Sequence, residues 1–387
     1  MENFHIIVIG GGGTGAAVIH DLTQRGFKTT LLERGELTSG TTGRHHGLLH
    51  SGGRYAVKDQ ESAIECIEEN MILRKIAPEA IEENEGLFVA ISEEDEAYSE
   101  AFVAGCEECR IPTRSLTPKQ ALELEPNLNP NLRLAVQVPD ATIDAWRLPL
   151  HFFATAKHRG ADIRTYAEVV GFVQNAGVIS GVRVLDHKTN TEYDLSGDLV
   201  VNASGAWAEK VTNMANADVP VRPSPGVMVA VQGRYHNMVI NRMHASGDGD
   251  IIVPERNLSV IGTTSWVVDD PDKLGLPEDH VQLMFTMGAE LVPSIKNAPF
   301  RAAWSAARPL IGSKGEDEGR ELSRTFKCFD HKERDGVEGL VTICGGKATT
   351  LRGMAETTVD VVCRKLGLDI PCRTKEEVLL PYRAYYN

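Results

Sequence analysis

The sequence lacks long apolar runs. Across its 387 residues no run approaches the roughly 20 apolar residues that a membrane-spanning helix needs. The first strand-like segment begins at Phe4, so we expect no secretory leader ahead of it. These two features predict a cytoplasmic protein. Peripheral association with the cytoplasmic face of a membrane stays open.

Cysteine is also scarce. The chain has 7 cysteines, an odd number that is thinly spread, which suits a reducing compartment better than a disulfide framework. Cys106 and Cys109 form a C-x-x-C in a helix-like stretch, but no second pair stands at the spacing of a metal site. We therefore expect these thiols to be packing residues, and we expect no metal site.

Positive charge is in short supply. The chain has 40 Lys and Arg against 54 Asp and Glu, a net charge of −14, which argues against nucleic acid as a partner. An anionic substrate would need a local cluster of cations. The 42% hydrophobic and 24% charged content is that of a globular protein, and the length suggests two domains.

The N-terminal segment carries the most informative pattern. Residues 4–9 read as a buried β-branched strand, and Gly10, Gly12 and Gly15 follow it before a helix-like stretch. A second strand ends in Glu33, 23 residues after Gly10. This is the dinucleotide fingerprint: the pyrophosphate sits on the N–H groups at the helix start, and the carboxylate accepts hydrogen bonds from a ribose diol. The pattern leaves NAD and FAD open.

Three later stretches favour ligand contact. Residues 38–55 are rich in glycine, hydroxyls and imidazoles, which suits close wrapping of a polar cofactor. The strand at 198–202 runs into a turn of small residues at 203–207, the position where open α/β sheets bind ligands. A further buried strand, 340–344, enters the Gly-Gly-Lys turn at 345–347.

The region 219–310 differs from the rest, with more proline and more alternation of apolar and polar residues. Residues 226–231, 250–254 and 258–262 predict strands of an antiparallel sheet, and 280–291 predict one helix across it. An antiparallel sheet tolerates one wet face, which suits the floor of a substrate cavity.

Six strings spread over the whole chain resemble the FAD-dependent glycerol-3-phosphate dehydrogenases, a family of D-amino-acid-oxidase-like flavoproteins. Within that family the resemblance is strongest to the catalytic large subunit of the anaerobic bacterial enzyme. The strings are IIVIGGGGTG (6–15), GRHHGLLHSGGRYAV (43–57), NASGAW (202–207), VIGTTS (260–265), ARPL (307–310) and GGKATTLR (345–352).

The resemblance implies an α/β fold with an α+β second domain. A Rossmann-like FAD-binding domain would be built from the non-contiguous segments 1–86, 140–218 and 335–387. An antiparallel-sheet substrate domain would contain 87–139 and 219–334.

The resemblance also decides for FAD over NAD as the cofactor. The residues that it assigns to FAD binding are Gly10, Gly12, Gly13, Thr14, Gly15, Glu33, Arg34, Thr41, Thr42, Gly43, His46, Gly47, Leu49, Val169, Ala203, Ser204, Gly205, Trp207, Gly346, Lys347, Ala348 and Thr349.

The implied reaction oxidises sn-glycerol 3-phosphate to dihydroxyacetone phosphate. The flavin takes a hydride at N5, and the protein supplies positioning, a base and electrostatics. We expect His50 as the base because an imidazole titrates near neutrality, with Arg308 and Lys347 as the other catalytic residues. His45 and His46 compete for the role, and a flavin-positioning role for His50 and a covalent histidyl–flavin bond stay open.

A phosphate-bearing substrate needs cations on this acidic chain. Arg54, Arg308 and Lys347 come from three matched motifs, each in a glycine- or proline-flanked turn, so we expect them to share one site. Tyr55 and Thr264 are expected to add hydroxyl contacts.

The last motif has one expected role and one departure from the family. The helix after Lys347 would direct its N-terminal donors at the flavin edge that becomes negative on reduction, which would place 346–349 beside the pyrimidine ring. Leu351 stands where the family usually carries tyrosine, so an aromatic contact is lost.

Where the electrons go after the flavin is the least determined step. The chain ends at Asn387 with only Cys363 and Cys372 after the last motif, so we do not expect an iron–sulfur cluster in it. A quinone or a partner electron-transfer subunit would be the acceptor. Three alternatives stay open: an oxidase that produces peroxide, an FAD enzyme acting on an amine or a 2-hydroxy acid, and a flavin-binding scaffold subunit.

Overall fold

The computed structural model describes residues 4–245, 247–312 and 325–387. The helices are α1 (Gly13–Gln24), α2 (Gln60–Ile76), α3 (Glu93–Glu108), α4 (Pro118–Leu124), α5 (Arg147–His158), α6 (Ala208–Asn213), α7 (Glu278–Leu291), α8 (His331–Asp335) and α9 (Leu351–Lys365). The strands are β1 (His5–Ile9), β2 (Lys28–Glu33), β3 (Leu48–Leu49), β4 (Ile81–Glu82), β5 (Gly86–Ala90), β6 (Arg114–Leu116), β7 (Leu134–Val138), β8 (Ala141–Ile143), β9 (Asp162–Thr165), β10 (Ala167–Asn175), β11 (Val178–Asp186), β12 (Thr191–Ser196), β13 (Leu199–Asn202), β14 (Val221–Gln232), β15 (Val239–Arg242), β16 (Ile251–Glu255), β17 (Leu258–Gly262), β18 (Phe300–Ile311), β19 (Phe326–Asp330) and β20 (Leu340–Gly345).

One sheet, here called the N-terminal sheet, contains β1 at its centre. Within the described residues its strand order is β19-β20-β13-β1-β2-β9, parallel except for the β19–β20 pair. Ile6, Ile7 and Val8 are fully buried, as expected for a β-branched strand covered on both faces. Helices α1, α5 and α9 pack on one face, and the meander β10-β11-β12 packs on the other. The predicted Rossmann-like fold is confirmed.

The second sheet, here called the large sheet, has the strand order β18-β14-β17-β16-β15-β5-β7-β6 in the described chain. All its pairs are antiparallel except β15–β5. Val229 and Ile261 on one face pack against Met284 and Leu291 of α7 in a common core. The predicted antiparallel sheet with a helix laid across it is therefore present.

The sequence placed Arg308 in a proline-flanked turn, and this was wrong. Arg308 lies inside β18, which pairs with β14 along its length and forms one edge of the large sheet. Pro309 faces Pro223, whose carbonyl accepts from Val268 N on the side away from β18. The facing prolines therefore form a non-hydrogen-bonded pair, and their missing N–H groups cost no bond between the two strands.

One predicted domain boundary also needs correction. Strand β19 was assigned to the substrate domain, but it pairs antiparallel with β20 in the N-terminal sheet. The final segment of this sheet therefore begins before residue 335. Residues 313–324, also assigned to the substrate domain, lie outside the described residues, as do 1–3 and 246.

The thiols of the C-x-x-C pair are packing residues, as the sequence predicts. Cys106 and Cys109 pack into a buried cluster with Phe102 and Ala56, and burial raises the pKa of Cys106 to about 12. Among the described residues, no group of three or more His, Cys, Asp or Glu side chains is arranged to hold a metal ion. No helix in that part of the chain combines the length and apolar character needed to cross a membrane.

Candidate cofactor and substrate site

A cavity of about 680 Å³ lies between the carboxyl ends of the N-terminal sheet and the large sheet. Gly10 and Glu33 line one end, here called the dinucleotide end. His50, Arg308 and Lys347 line the other, here called the substrate end. The volume is within the usual range of small-molecule sites, about 300–1,000 Å³.

The glycine turn at the dinucleotide end has no room for side chains at the fingerprint positions. Gly10 has φ +109°, and a Cβ on it would stand 2.7 Å from the carbonyl oxygen of Ala203. A Cβ on Gly15 would stand 1.9 Å from the carbonyl oxygen of Gly10, so α1 rests directly on the turn. A Cβ on Gly12 would stand 3.0 Å from Oγ1 of Thr42. The turn brings backbone to the cavity wall, as a pyrophosphate requires.

Glu33 ends β2 beside this turn. Its Oε2 accepts the Gly11 N–H at 2.7 Å, and its Oε1 accepts the Gly35 N–H at 2.8 Å. Since each carboxylate oxygen has two lone pairs, Glu33 keeps acceptor capacity at the cavity wall. The carboxylate is thus fixed in place and suited to a ribose diol.

Asn202 organises the turn after β13. Its buried side chain accepts the N–H and the hydroxyl of Ser204, at 3.2 and 2.6 Å, and donates to the Ala208 carbonyl at 3.0 Å. These bonds hold Ala203 and Ser204 against the cavity. Sequence reasoning quoted Asn202 within the motif but assigned it no role.

The loop that carries His50 is tied on both sides. The His50 N–H donates to Oγ1 of Thr349 at 3.1 Å, and its carbonyl accepts from Nδ2 of Asn70 at 3.1 Å. Arg74 holds Asn70 in turn, with Nε 2.7 Å from Oδ1. Helix α2 and the turn before α9 therefore fix the backbone that carries the imidazole. Sequence reasoning missed Asn70, because its partners come together only in the folded chain.

The three imidazoles of this loop are neutral at pH 7. Burial, reinforced by nearby positive charges including Arg54, holds the pKa values of His46 and His50 well below the ordinary range. Burial lowers the pKa of His45 to about 4, although Asp144 opposes the shift. The rings of His46 and His50 lie 6.0 Å apart. A neutral imidazole can accept a proton, which a general base requires.

Backbone contacts fix the direction in which Arg308 points. Its Nη1 donates to the carbonyls of Ser224 and Pro225, both at 3.3 Å. Its Nη2 donates to the Thr263 hydroxyl and to the Thr264 carbonyl. These bonds hold the guanidinium rigidly at the cavity wall.

The structure changes one expected hydroxyl contact. The Thr264 side chain does not line the cavity, because its Oγ1 is buried and accepts the Val227 N–H at 3.1 Å. The hydroxyl at the cavity belongs to Thr263, the preceding residue of the same motif.

The other two cations have acidic partners. Arg54 donates to the buried Asp250 through Nη2 at 2.6 Å. Lys347 Nζ lies 5.0 Å from the ring centre of Tyr55 and 3.9 Å from Oε2 of Glu65. The three predicted cations therefore reach the same cavity from different elements.

Most of the predicted site residues line the cavity. Those that do are Gly10, Gly12, Gly13, Thr14, Glu33, Arg34, Thr41, Thr42, His46, His50, Arg54, Tyr55, Val169, Ala203, Ser204, Gly205, Trp207, Arg308, Gly346, Lys347 and Ala348. Those that the structure places behind the wall are Gly15, Gly43, Gly47, Leu49, Thr264 and Thr349. Of these, Gly15 and Thr349 act through neighbours, by helix packing and by the bond to His50.

The cavity also has lining residues that the sequence did not indicate. One of them, Thr263, lies within a quoted motif. The others become neighbours only through the tertiary fold, and they include Lys210, Pro271, Asp272, Leu274 and Ser305.

Comparison with known proteins identifies the family. Residues 5–360 match the sequence model of the FAD dependent oxidoreductases, abbreviated DAO. The chain belongs to this family. The resemblance carried by the six strings is thereby confirmed.

Related DAO-family sequences cover nearly the whole chain. It is 41% identical over 376 residues to an anaerobic glycerol-3-phosphate dehydrogenase subunit of Haemophilus influenzae, covering 97% of this chain and 67% of that protein. The corresponding subunit from Escherichia coli K12 is 41% identical over 380 residues, covering 98% of this chain and 70% of that protein. The chain thus spans about two thirds of the length of these relatives.

The fold matches that of solved DAO-family structures. The glycerol-3-phosphate dehydrogenase of Bacillus halodurans, solved in complex with FAD, superposes with a TM-score of 0.74 at 26% identity. The match covers 98% of this chain and 68% of that one.

FAD is the cofactor of this DAO-family chain, and the cavity fits it. A Cβ on Gly10 or Gly12 would fill the cradle, and the carboxylate of Glu33 is held at the cavity wall, where it can accept from a ribose diol. Leu351 lines the cavity, and its Cδ2 would stand 3.5 Å from a Cβ placed on Gly13. Leu351 thus places an aliphatic side chain at the cavity wall, where the family usually carries an aromatic one.

Proposed function

We propose that this chain oxidises sn-glycerol 3-phosphate to dihydroxyacetone phosphate. The observation that carries the proposal is the meeting of three cations, Arg54, Arg308 and Lys347, in the cavity that also contains His50. On a chain with net charge −14, such a cluster points to an anionic ligand. The names of the relatives specify the anion.

The cations bind the phosphate and orient the substrate. Arg308 supplies a positive charge at a fixed position for the phosphate, because hydrogen bonds from Nη1 and Nη2 already hold its guanidinium plane. Lys347 adds a compact charge from the turn before α9. Holding the phosphate in this way places the substrate hydroxyl near His50.

His50 accepts the hydroxyl proton of the substrate. Its imidazole is neutral at pH 7, since burial and then nearby charges, including His46, Arg54 and Lys347, hold its pKa well below the ordinary range. The hydrogen bonds to Thr349 and Asn70 hold the backbone of His50 in place. When bound, FAD supplies the acceptor for the hydride that leaves the same carbon. The nearby cations disfavour the imidazolium that this transfer forms.

The electrons leave to a quinone or to a partner electron-transfer subunit. The support is indirect, because the relatives are named as one of the subunits of an anaerobic enzyme. The expected cytoplasmic location, with or without contact to the membrane, stays a prediction.

Anaerobic reduction of the flavin tests the proposal. We expect sn-glycerol 3-phosphate to bleach the visible flavin band of the purified chain, and glycerol plus inorganic phosphate to leave it unchanged. A chain that binds FAD but is not bleached would instead be a scaffold subunit. Peroxide formed in near-stoichiometric amount in air would favour the oxidase alternative.

A further inference from the structure

A short segment between β17 and α7 crosses the cavity. Residues 269–275, here called the strap, are attached to the large sheet on both sides. Before the strap, Val268 N donates to the Pro223 carbonyl at 3.1 Å. At its end, the carbonyl of Gly275 accepts from Oγ of Ser305 at 2.7 Å.

The strap is tied to the opposite side of the cavity chiefly by the carboxylate of Asp272, with one further contact through Asp270. Oδ1 of Asp272 accepts from Arg34 Nη2 at 2.7 Å and from Trp207 Nε1 at 2.8 Å. Oδ2 accepts from Lys210 Nζ at 2.7 Å. Lys210 also reaches Asp270, whose Oδ1 accepts at 2.7 Å. These hydrogen bonds lower the pKa of Asp272 although burial raises it, so the carboxylate is charged at pH 7.

The three donors come from the loop after β2 and from the turn and helix α6 that follow β13. Arg34 directly follows Glu33, and its guanidinium lies 4.7 Å from the centre of the Trp207 ring. Pro271, Asp272 and Leu274 line the cavity together with these donors. The strap therefore covers the side where Glu33 would hold the ribose of the adenosine half.

The closure is polar and exposed. The side chains of Arg34, Asp272 and Lys210 keep 45, 40 and 45% of their surface accessible. Exposed ion pairs are individually weak and are screened by salt. The carboxylate of Asp272, with its three donors, can hold the strap closed. Breaking these contacts would open the strap without unfolding either sheet.

We propose that the strap retains the adenosine half of FAD and that Asp272 holds it closed, so that opening of the strap limits cofactor release. Asp272 is here a positioning residue for the cofactor, supplied by the large sheet. Retention by the strap depends on FAD binding, which follows from the family, and is independent of the substrate oxidised.

The rate of FAD release tests this role. FAD-loaded enzyme is mixed with an excess of an apo-flavoprotein that traps free FAD, and the transfer is followed by flavin absorbance. We expect Asp272→Asn to raise the release rate constant roughly tenfold, because an amide holds the cationic donors less strongly. Trp207→Phe keeps the ring and removes one donor, so it should give a smaller increase.

Asp269→Asn is the matched control. It removes the same charge from the same strap, at an exposed position for which the described residues provide no hydrogen bond or ion pair. We expect its release rate to equal that of the unchanged chain.

Added KCl gives a second measurement that needs no variant. Screening should speed FAD release from the unchanged chain and have much less effect on Asp272→Asn. Equal release rates and equal salt dependence in these two proteins would overturn the proposal. If Asp272→Asn does not fold, a release rate unaffected by both Trp207→Phe and salt would overturn it equally.

Discussion

At the glycine turn of the dinucleotide end the cavity wall is backbone, and at the substrate end it is mainly side chains. Gly10 and Gly15 leave no space for a Cβ within a turn only six residues long. His50, Arg308 and Lys347 are brought together from a loop, an edge strand of the large sheet and the turn before α9.

The difference concerns how each end tolerates change. A steric requirement is met or not met, so one methyl group at the glycine turn can displace a helix. Charges and hydrogen bonds act in graded steps, so the substrate end should lose function in proportion to what is removed. The variants below test this contrast, in order of decreasing expected effect.

Gly15→Ala should have the largest effect. Its Cβ would stand 1.9 Å from the Gly10 carbonyl oxygen, so α1 must move away from the turn and the pyrophosphate site is lost. We expect purified protein with little bound FAD, measured as the flavin-to-protein ratio. Gly13→Ala is the control, since its Cβ would meet Leu351 at an ordinary 3.5 Å. Full flavin content in Gly15→Ala would mean that the turn is not sterically limited.

His50→Asn should keep FAD and slow its reduction. Loss of a general base lowers the rate of flavin reduction by sn-glycerol 3-phosphate roughly 10²- to 10⁴-fold, measured anaerobically by stopped flow. Because the His50 pKa lies well below its ordinary value, the wild-type rate should stay level through neutral pH and fall only in acid. A variant that keeps both the rate and its acid limb would remove His50 from the mechanism.

Arg308→Ala should have the smallest of the three effects. Losing hydrogen bonds to a charged group, about 1.5–3 kcal/mol, lowers kcat/KM for sn-glycerol 3-phosphate roughly 10- to 150-fold. Arg301→Ala is the control, because it removes the same charge from an exposed position on β18. If both variants turn over the substrate equally well, the phosphate is bound elsewhere.

The same contrast explains what the sequence could predict. The glycine turn and Glu33 lie within one strand–helix–strand unit, where spacing alone determines which groups face the ligand. The strands at 250–254 and 258–262 were likewise predicted from the alternation of apolar and polar residues. These parts depend on neighbours in sequence.

The remaining features depend on neighbours in space. Asn70 contacts His50 only because α2 packs beside the loop. Asp272 contacts Arg34 only because the strap crosses the cavity between the two sheets. In the sequence Pro309 suggests a turn. Its position in a strand is evident only once β14 is seen to pair with β18. No periodic pattern in the sequence predicts these contacts between residues that are distant in the chain.

The facing prolines of β14 and β18 also affect how the two sheets meet. An edge strand offers its outward N–H and C=O groups as a template on which another strand can extend the sheet. On β18 this row faces the interior of the molecule, because the Ala307 carbonyl accepts from Oγ1 of Thr41 at 2.7 Å and the Pro309 carbonyl is near the Cys344 thiol, with Sγ 3.8 Å away. Pro309 has no N–H, so it interrupts the row of donors where the N-terminal sheet approaches. The large sheet thus ends at β18, and the cavity lies between the two sheets.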